Sequence, residues 1–244
     1  MSGHSKWHNI QQRKGKQDAA RSNIFSKYSK QIMIAVRQGG GDPNINFSLR
    51  LLVDKAKGSG MPKENIERAI KKASGELGDG AQMEEALYEA FGPGGTAILI
   101  KSITDNKNRA GSDIRHIVSE YGGNVGGPGS VQWMFGQWGM IEILKSKLSE
   151  KNLDMEAFQL SLIEVGAEDF GDVGEMLEIK TKVENLQKVL DKMKDLGLEP
   201  DEFGIQWVAK EKLNVGDDAR ETLEKMFAKL DDHDDVDDYW TNAE

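Results

Sequence analysis

The chain has 244 residues, a formal net charge of -9, and 38% hydrophobic against 30% charged residues, the profile of a globular protein. It has no cysteine, which excludes disulfides, thiolate nucleophiles and cysteine-ligated zinc. No apolar run approaches the roughly 18 residues of a membrane-spanning helix, no signal-peptide core opens the chain, and Ser2 stands where myristoylation needs glycine, so a cytoplasmic protein without a membrane partner is expected.

The first stretch, "GHSKWHNIQQRKGKQDAARS" (residues 3–22), is basic, polar and without sustained periodicity, which suggests an arm. From Asp18 the pattern turns helical, with Ile24, Phe25, Tyr28, Ile32, Ala35 and Val36 on one stripe at 3.6 residues per turn. "GGGDP" (residues 39–43) ends that helix. A second helix is expected over Asn46–Lys57 and a third from Pro62, with Ile66, Ala69, Ile70 and Ala73 turned inward. "SGELGDG" (residues 74–80) reads as a linker.

Strands and helices then alternate. Thr96–Thr104 is a β-branched strand, and "NRAGSDIRHIVSEYG" an amphipathic helix. Short strands near Asn124–Val125 and Val131–Phe135 flank a glycine-rich turn. Gly139–Leu144, Leu153–Val165, "AEDFGDV", "MLEIKT", Val183–Leu196 and Phe203–Ala209 spell β-α-β-β-α-β, the ferredoxin-like unit. A helix over Asp217–Leu230 and a strand at "VDDYWTN" complete a second such unit with the segments before the insertion. The fold class is therefore α+β: an N-terminal helical domain plus two ferredoxin-like α+β domains, one inserted into the other. The expected boundaries are 1–76 for the basic helical domain with its arm, 80–136 plus 210–244 for the discontinuous domain, and 137–209 for the insert.

Charge is segregated along this order. Residues 1–72 hold 15 Lys+Arg and 5 Asp+Glu, a formal +10, and the rest of the chain holds 17 and 36, a formal -19. A basic module on an acidic body seeks a polyanion. Lys6, Arg13, Lys14, Lys16 and Arg21 in or beside the arm, with Lys27 and Lys30 on the first helix, are the candidate phosphate contacts. Trp7 suits stacking on an unpaired base or packing against the helices. A second candidate site is "TDNKNRAG", which joins a strand to a helix N-terminus and concentrates Asp105, Asn106, Asn108 and Arg109. It fits an anion site and a capped turn equally.

No catalytic set is legible. The chain lacks a Walker loop, an H-E-x-x-H pair and a G-x-S-x-G elbow, so no enzyme, cofactor or metal is expected. The loops "GGGDP", "FGPGGTA" and "GGNVGGPGS" read as tight turns before they read as phosphate cradles. The run "DDHDDVDDYW" (residues 231–240) reads as a solvated turn and a charge-protected strand edge that repels nucleic acid.

"GHSKWHNIQQRKGKQDAARSNIFSK", "GGGDP", "AKGSGMPKENIERAIKKASGE", "YEAFGPGGTAILI", "TDNKNRAG", "GGNVGGPGSVQWMF" and "TNAE", in this order, closely resemble the YebC/PmpR family. Ala90 and Phe91 depart from the Gly and Tyr frequent in that family, and Asn23 stands at a position often basic. The resemblance implies three domains and a cytoplasmic DNA-binding regulator of transcription. It also implies an alternative, since some relatives, including mitochondrial translational activators, act on the ribosome and ease synthesis of difficult sequences such as proline runs. The partner is then DNA in one case and ribosomal RNA or the ribosome in the other. A monomer is compatible with either.

Overall fold

The computed structural model describes residues 17–75 and 83–244, with side chains from residue 22 onward. The described chain forms two compact units. One is Met134–Lys212, and the other combines the described residues up to Trp133 with Leu213–Ala243.

In the larger unit, α1 (Gln17–Gly39), α2 (Phe47–Gly58) and α3 (Lys63–Ala73) make the helical part. The expected stripe packs as read: Tyr28, Ile32, Ala35 and Val36 of α1 meet Leu49, Val53 and Ala56 of α2 and Ile66 and Ala69 of α3. The "GGGDP" corner is held by Asn46. Its buried amide donates to Ala35 O at 2.8 Å and Gly40 O at 2.7 Å, while its Oδ1 accepts from Leu49 N at 3.1 Å. One side chain thereby satisfies free carbonyls at the end of α1 and a free amide at the start of α2.

The sheet of this unit contains β1 (Glu84–Gly92), β2 (Thr96–Thr104), β3 (Asn124–Val125) and β8 (Val236–Thr241) in the order β3-β1-β2-β8, every neighbouring pair antiparallel. Helices α4 (Lys107–Glu120) and α8 (Asp217–Asp232) bury Ile114, Val118, Leu223, Met226 and Leu230 against Ala90, Ile98, Ile100 and Tyr239. Helix α1 lies along the other face. Its Gln31 donates to Asp237 of β8 at 2.6 Å, and its Gln38 to Glu85 of β1 at 3.3 Å.

Met134–Lys212 contains β4 (Phe135–Leu144), α5 (Lys145–Glu150), α6 (Met155–Ile163), β5 (Ala167–Val173), β6 (Met176–Thr181), α7 (Leu186–Asp195) and β7 (Glu202–Ala209). The strand order is β5-β6-β4-β7, which is the ferredoxin-like arrangement expected from the β-α-β-β-α-β pattern. Gly139 lets β4 approach α7: a Cβ there would meet Leu186 Cβ at 3.0 Å and Thr181 Cγ2 at 2.8 Å.

The α+β class with its helical N-terminal part and two antiparallel sheets stands as expected. One strand assignment does not. Val131–Phe135 is not the missing strand of the larger unit: Val131 is a buried plug, Gln132–Met134 is a short 3-10 turn, and Phe135 already begins β4. The vacant place between β2 and β3 is taken by β1, from "EEALYEAFG". Glu and Ala are poor strand formers, and the segment lacks a clean two-residue period, which hid it. The six-residue helix α5 was also not expected.

Burying β1 brings in Glu89, 5% exposed. Its carboxylate accepts from the backbone N–H of Gly129 at 2.5 Å, Val131 at 2.7 Å and Gln132 at 2.7 Å. The loop "GGNVGGPGS" is thus a cradle for an anion, and the anion is the protein's own. Burial pushes the Glu89 carboxyl upward, but the N–H groups of Val131, Gly129, Gln132 and Ser130 outweigh it and hold the value below that of an ordinary glutamate. A lowered folded-state value means the stabilisation is complete above the unfolded glutamate range, about 4.3, and lost as pH falls through the folded value. Glu89→Ala leaves the amides without their acceptor and should cost about 3 kcal/mol or more in denaturant unfolding at neutral pH. Glu89→Gln should flatten the acid limb of stability against pH, and an unchanged acid limb would exclude this carboxylate as its source.

Candidate nucleic-acid interface

Of the residues selected from sequence, Lys6, Trp7, Arg13, Lys14 and Lys16 lie outside the described residues, and Arg21 is described only as backbone of α1. Lys27 and Lys30 are placed, and both face the protein's own acidic run. Lys27 Nζ donates to Asp231 O at 3.0 Å. Lys30 Nζ donates to Asp234 O at 2.7 Å and to Asp235 Oδ1 at 2.9 Å. These cations stand a helical turn apart on α1, so a single loop can meet both.

The second sequence candidate arrives at the same place. Asn106 caps α4: its Oδ1 accepts from the N–H groups of Asn108 and Arg109, each at 3.1 Å. The amides that would hold an external anion at this helix start are therefore taken by the cap. Arg109 projects away from them. Its Nη2 donates to Asp105 Oδ1 at 2.9 Å and Asp235 Oδ2 at 2.7 Å, and its Nε to the same Asp235 oxygen at 3.3 Å.

Asp235 is the meeting point. Its side chain is 6% exposed, with Lys30 on one oxygen and Arg109 on the other. Burial pushes its carboxyl upward, yet the hydrogen bonds from Arg109 and Lys30 prevail and hold it below the usual aspartate value. His233 Nδ1 accepts from Asp235 N at 3.1 Å, and His233 Nε2 lies 3.4 Å from Asp113 Oδ2. A cleft of about 590 Å³ opens here, lined by Lys30, Asp105, Arg109, Asp113, His233 and Asp235 among others. Next along β8, buried Asp237 accepts from Gln31 and stands 3.3 Å from Lys101 Nζ.

Three features that read as separate in the sequence therefore converge: the α1 lysines, the "TDNKNRAG" loop and the acidic run. The solvated reading of that run fails for Asp235 and Asp237, which are buried ion-pair partners. The strand-edge reading holds, since β8 is the outer strand of its sheet. Sequence reasoning missed the pairing because Lys30 and Asp235 are more than 200 positions apart. The opposite charges of two segments were the available signal. Among the described residues, no group of three or more His, Asp or Glu is arranged to hold a metal ion, and no helix is long and apolar enough to cross a membrane.

Comparison with known proteins covers the whole arrangement. Residues 5–76 match a family model described as the TACO1/YebC protein N-terminal domain, and residues 83–243 match one described as the TACO1/YebC second and third domain. A protein of Thermoanaerobacter pseudethanolicus named "Probable transcriptional regulatory protein" is 43% identical over 244 residues, covering 100% of this chain and 97% of that protein. A relative in Fusobacterium nucleatum with the same designation is 41% identical over 98% of this chain and 92% of its own length. The crystal structure of a conserved hypothetical protein from Aquifex aeolicus superposes with a TM-score of 0.84 at 37% identity, covering 95% of this chain and 93% of that one.

The buried cluster has a direct stability test. Asp235→Asn removes the charge shared by Lys30 and Arg109 and should lower unfolding free energy by roughly 1–3 kcal/mol at neutral pH, since Arg109 is half exposed and keeps Asp105. Because the folded value of Asp235 is depressed, its contribution is full above the unfolded aspartate value, about 3.9, and disappears as pH falls through the folded value. The difference between wild type and variant should shrink over that acid window, as followed by urea melts. A pH-independent difference would assign the loss to packing instead.

Proposed function

Since the chain belongs to the TACO1/YebC family, we propose that it is a nucleic-acid-binding, non-enzymatic regulator of gene expression that works in the cytoplasm. The observation that carries this reading is the charge segregation, a formal +10 over residues 1–72 against -19 over the rest. The naming of its relatives as probable transcriptional regulatory proteins supports a regulatory role. The arm, with Lys6, Arg13, Lys14, Lys16 and Arg21, supplies cations that neutralise phosphates and release counterions. Lys27 and Lys30 take a different part: they hold α1, which follows the basic arm in sequence, to the acidic run.

A second reading takes RNA on the ribosome as the target and eased synthesis of difficult sequences as the outcome. One sequence feature favours it. Trp7 stands beside Lys6 in an irregular arm, a combination suited to stacking on unpaired bases, whereas the chain shows no recognition helix for a DNA groove. The two readings share the cationic arm and differ in the polyanion.

Neutralising Lys6, Arg13, Lys14 and Lys16 together should weaken nucleic-acid binding. The slope of log affinity against log salt should fall by roughly 0.7–0.9 for each phosphate that is no longer neutralised. An unaltered slope would refute the arm as the binding element. Crosslinking in cells followed by sequencing of both attached RNA and DNA separates the targets. Promoter DNA without ribosomal RNA supports the transcriptional reading, and ribosomal RNA without promoter DNA supports the translational one.

A further inference from the structure

The outward-facing cations of the helical part are not those that the sequence singles out. Lys27 and Lys30 are turned onto the Asp231–Asp235 loop, and Arg37 Nη1 donates to Met83 O at 3.3 Å. On α3 the situation is reversed. Ile66 and Ala69 are buried against α1 and α2, with Ile70 packed alongside, which forces the remaining side of the helix outward. That side carries Arg68, Lys71 and Lys72 beside Glu64 and Glu67, all exposed.

No carboxylate among the described residues pairs with any of these three, whereas Lys63 on the same helix lies 3.5 Å from Glu67. Arg68 and Lys72 are four positions apart and Lys71 is three from Arg68, so their Cβ atoms stand about 5–6 Å apart on neighbouring turns. The negative end of the helix accounts for Lys71 and Lys72, which lie in its last turn. It does not account for Arg68, a turn earlier. A polyanion supplies the partner that no described carboxylate gives these three cations. None of the exposed large hydrophobic side chains belongs to α3, so the surface lacks the apolar anchor on which a protein partner would seat. It also presents no Asn or Gln between the cations to read base edges.

We propose that Arg68, Lys71 and Lys72 form a contact surface for the phosphate backbone of nucleic acid, independent of base sequence. The inference rests on the nucleic-acid reading above and deepens it by adding a surface outside the arm. Arg68 contributes a planar fork that can engage two phosphate oxygens, and the lysines act as point charges beside it.

The test uses the full chain carrying Arg68→Gln, Lys71→Gln and Lys72→Gln together, with the fourfold arm variant in parallel. A second variant, Arg68→Lys with both lysines kept, preserves the charge. Binding to a 20-nucleotide RNA and to a 20-base-pair DNA, each in two unrelated sequences, is measured over a sodium chloride series. The α3 triple variant should lose roughly two units of salt slope and weaken equally on both sequences. Arg68→Lys should keep the slope. The thermal midpoint of the triple variant should fall by no more than a few degrees, because the three side chains are exposed and only the favourable charge of Lys71 and Lys72 at the helix end is lost. Unchanged affinity and slope in the triple variant, with weakened binding in the arm variant, would overturn the α3 surface and leave the function standing. Weakening on one sequence only would overturn it as base reading. Absence of salt-dependent binding by the wild-type protein would overturn the functional reading itself, and the inference with it.

Discussion

The position of the helical part depends on one buried carboxylate. Asp235 accepts Lys30 from α1 and Arg109 from α4 on its two oxygens, and Asp237, two residues on, takes Gln31 from α1. A buried charge costs several kcal/mol unless it is paired and hydrogen-bonded. The arrangement therefore tolerates little variation. If α1 shifted along the sheet, Lys30 would leave Asp235, and the buried carboxylate would keep Arg109 as its remaining cation. Hydrophobic packing under α1 is not directional, so these polar contacts are what specify where the helix lies.

Glu89, on β1 of the same sheet, plays a corresponding part. Its carboxylate gathers three backbone amides of a glycine-rich loop that would otherwise be an open anion site. The Asn106 cap does the same for the start of α4. Two anion-favouring backbone features of the larger unit are thus filled by its own side chains. On α1, Lys30 meets the carboxylate of Asp235, and Lys27 and Arg37 meet backbone carbonyl oxygens. The proposed contacts on the arm and on α3 are made by side-chain charge, and such contacts position a nucleic acid without reading its bases.

The buried helical stripes were plain in the sequence because each apolar face repeats within one element. Ile32, Val36, Ile66 and Ala69 were all selectable by spacing and are all buried. The β-α-β-β-α-β order of Met134–Lys212 was legible for the same reason, since its strands carry β-branched and aromatic residues between turn signals. β1 was not legible: "EEALYEAFG" has helix-forming residues, and only pairing with β2 over nine residues makes it a strand. The candidate site was legible in part. Residue types and net charge marked Lys27, Lys30 and Arg109 as anion-seeking, and each does meet a carboxylate or carbonyl oxygen, though the oxygen belongs to this chain.

The sequence by itself determined the α+β class, the helical faces, the lack of thiol chemistry and the separation of a basic beginning from an acidic remainder. These follow from composition and local periodicity, which need no knowledge of distant contacts. Only the tertiary structure decided which cations are free to meet a partner. Lys30 and Arg68 are equally basic as letters. One lies within 2.9 Å of a buried aspartate from the far end of the chain, and the other faces outward on α3. That difference arises from long-range pairing, where desolvation and ion-pair geometry act together, and neither is written in the residues beside them.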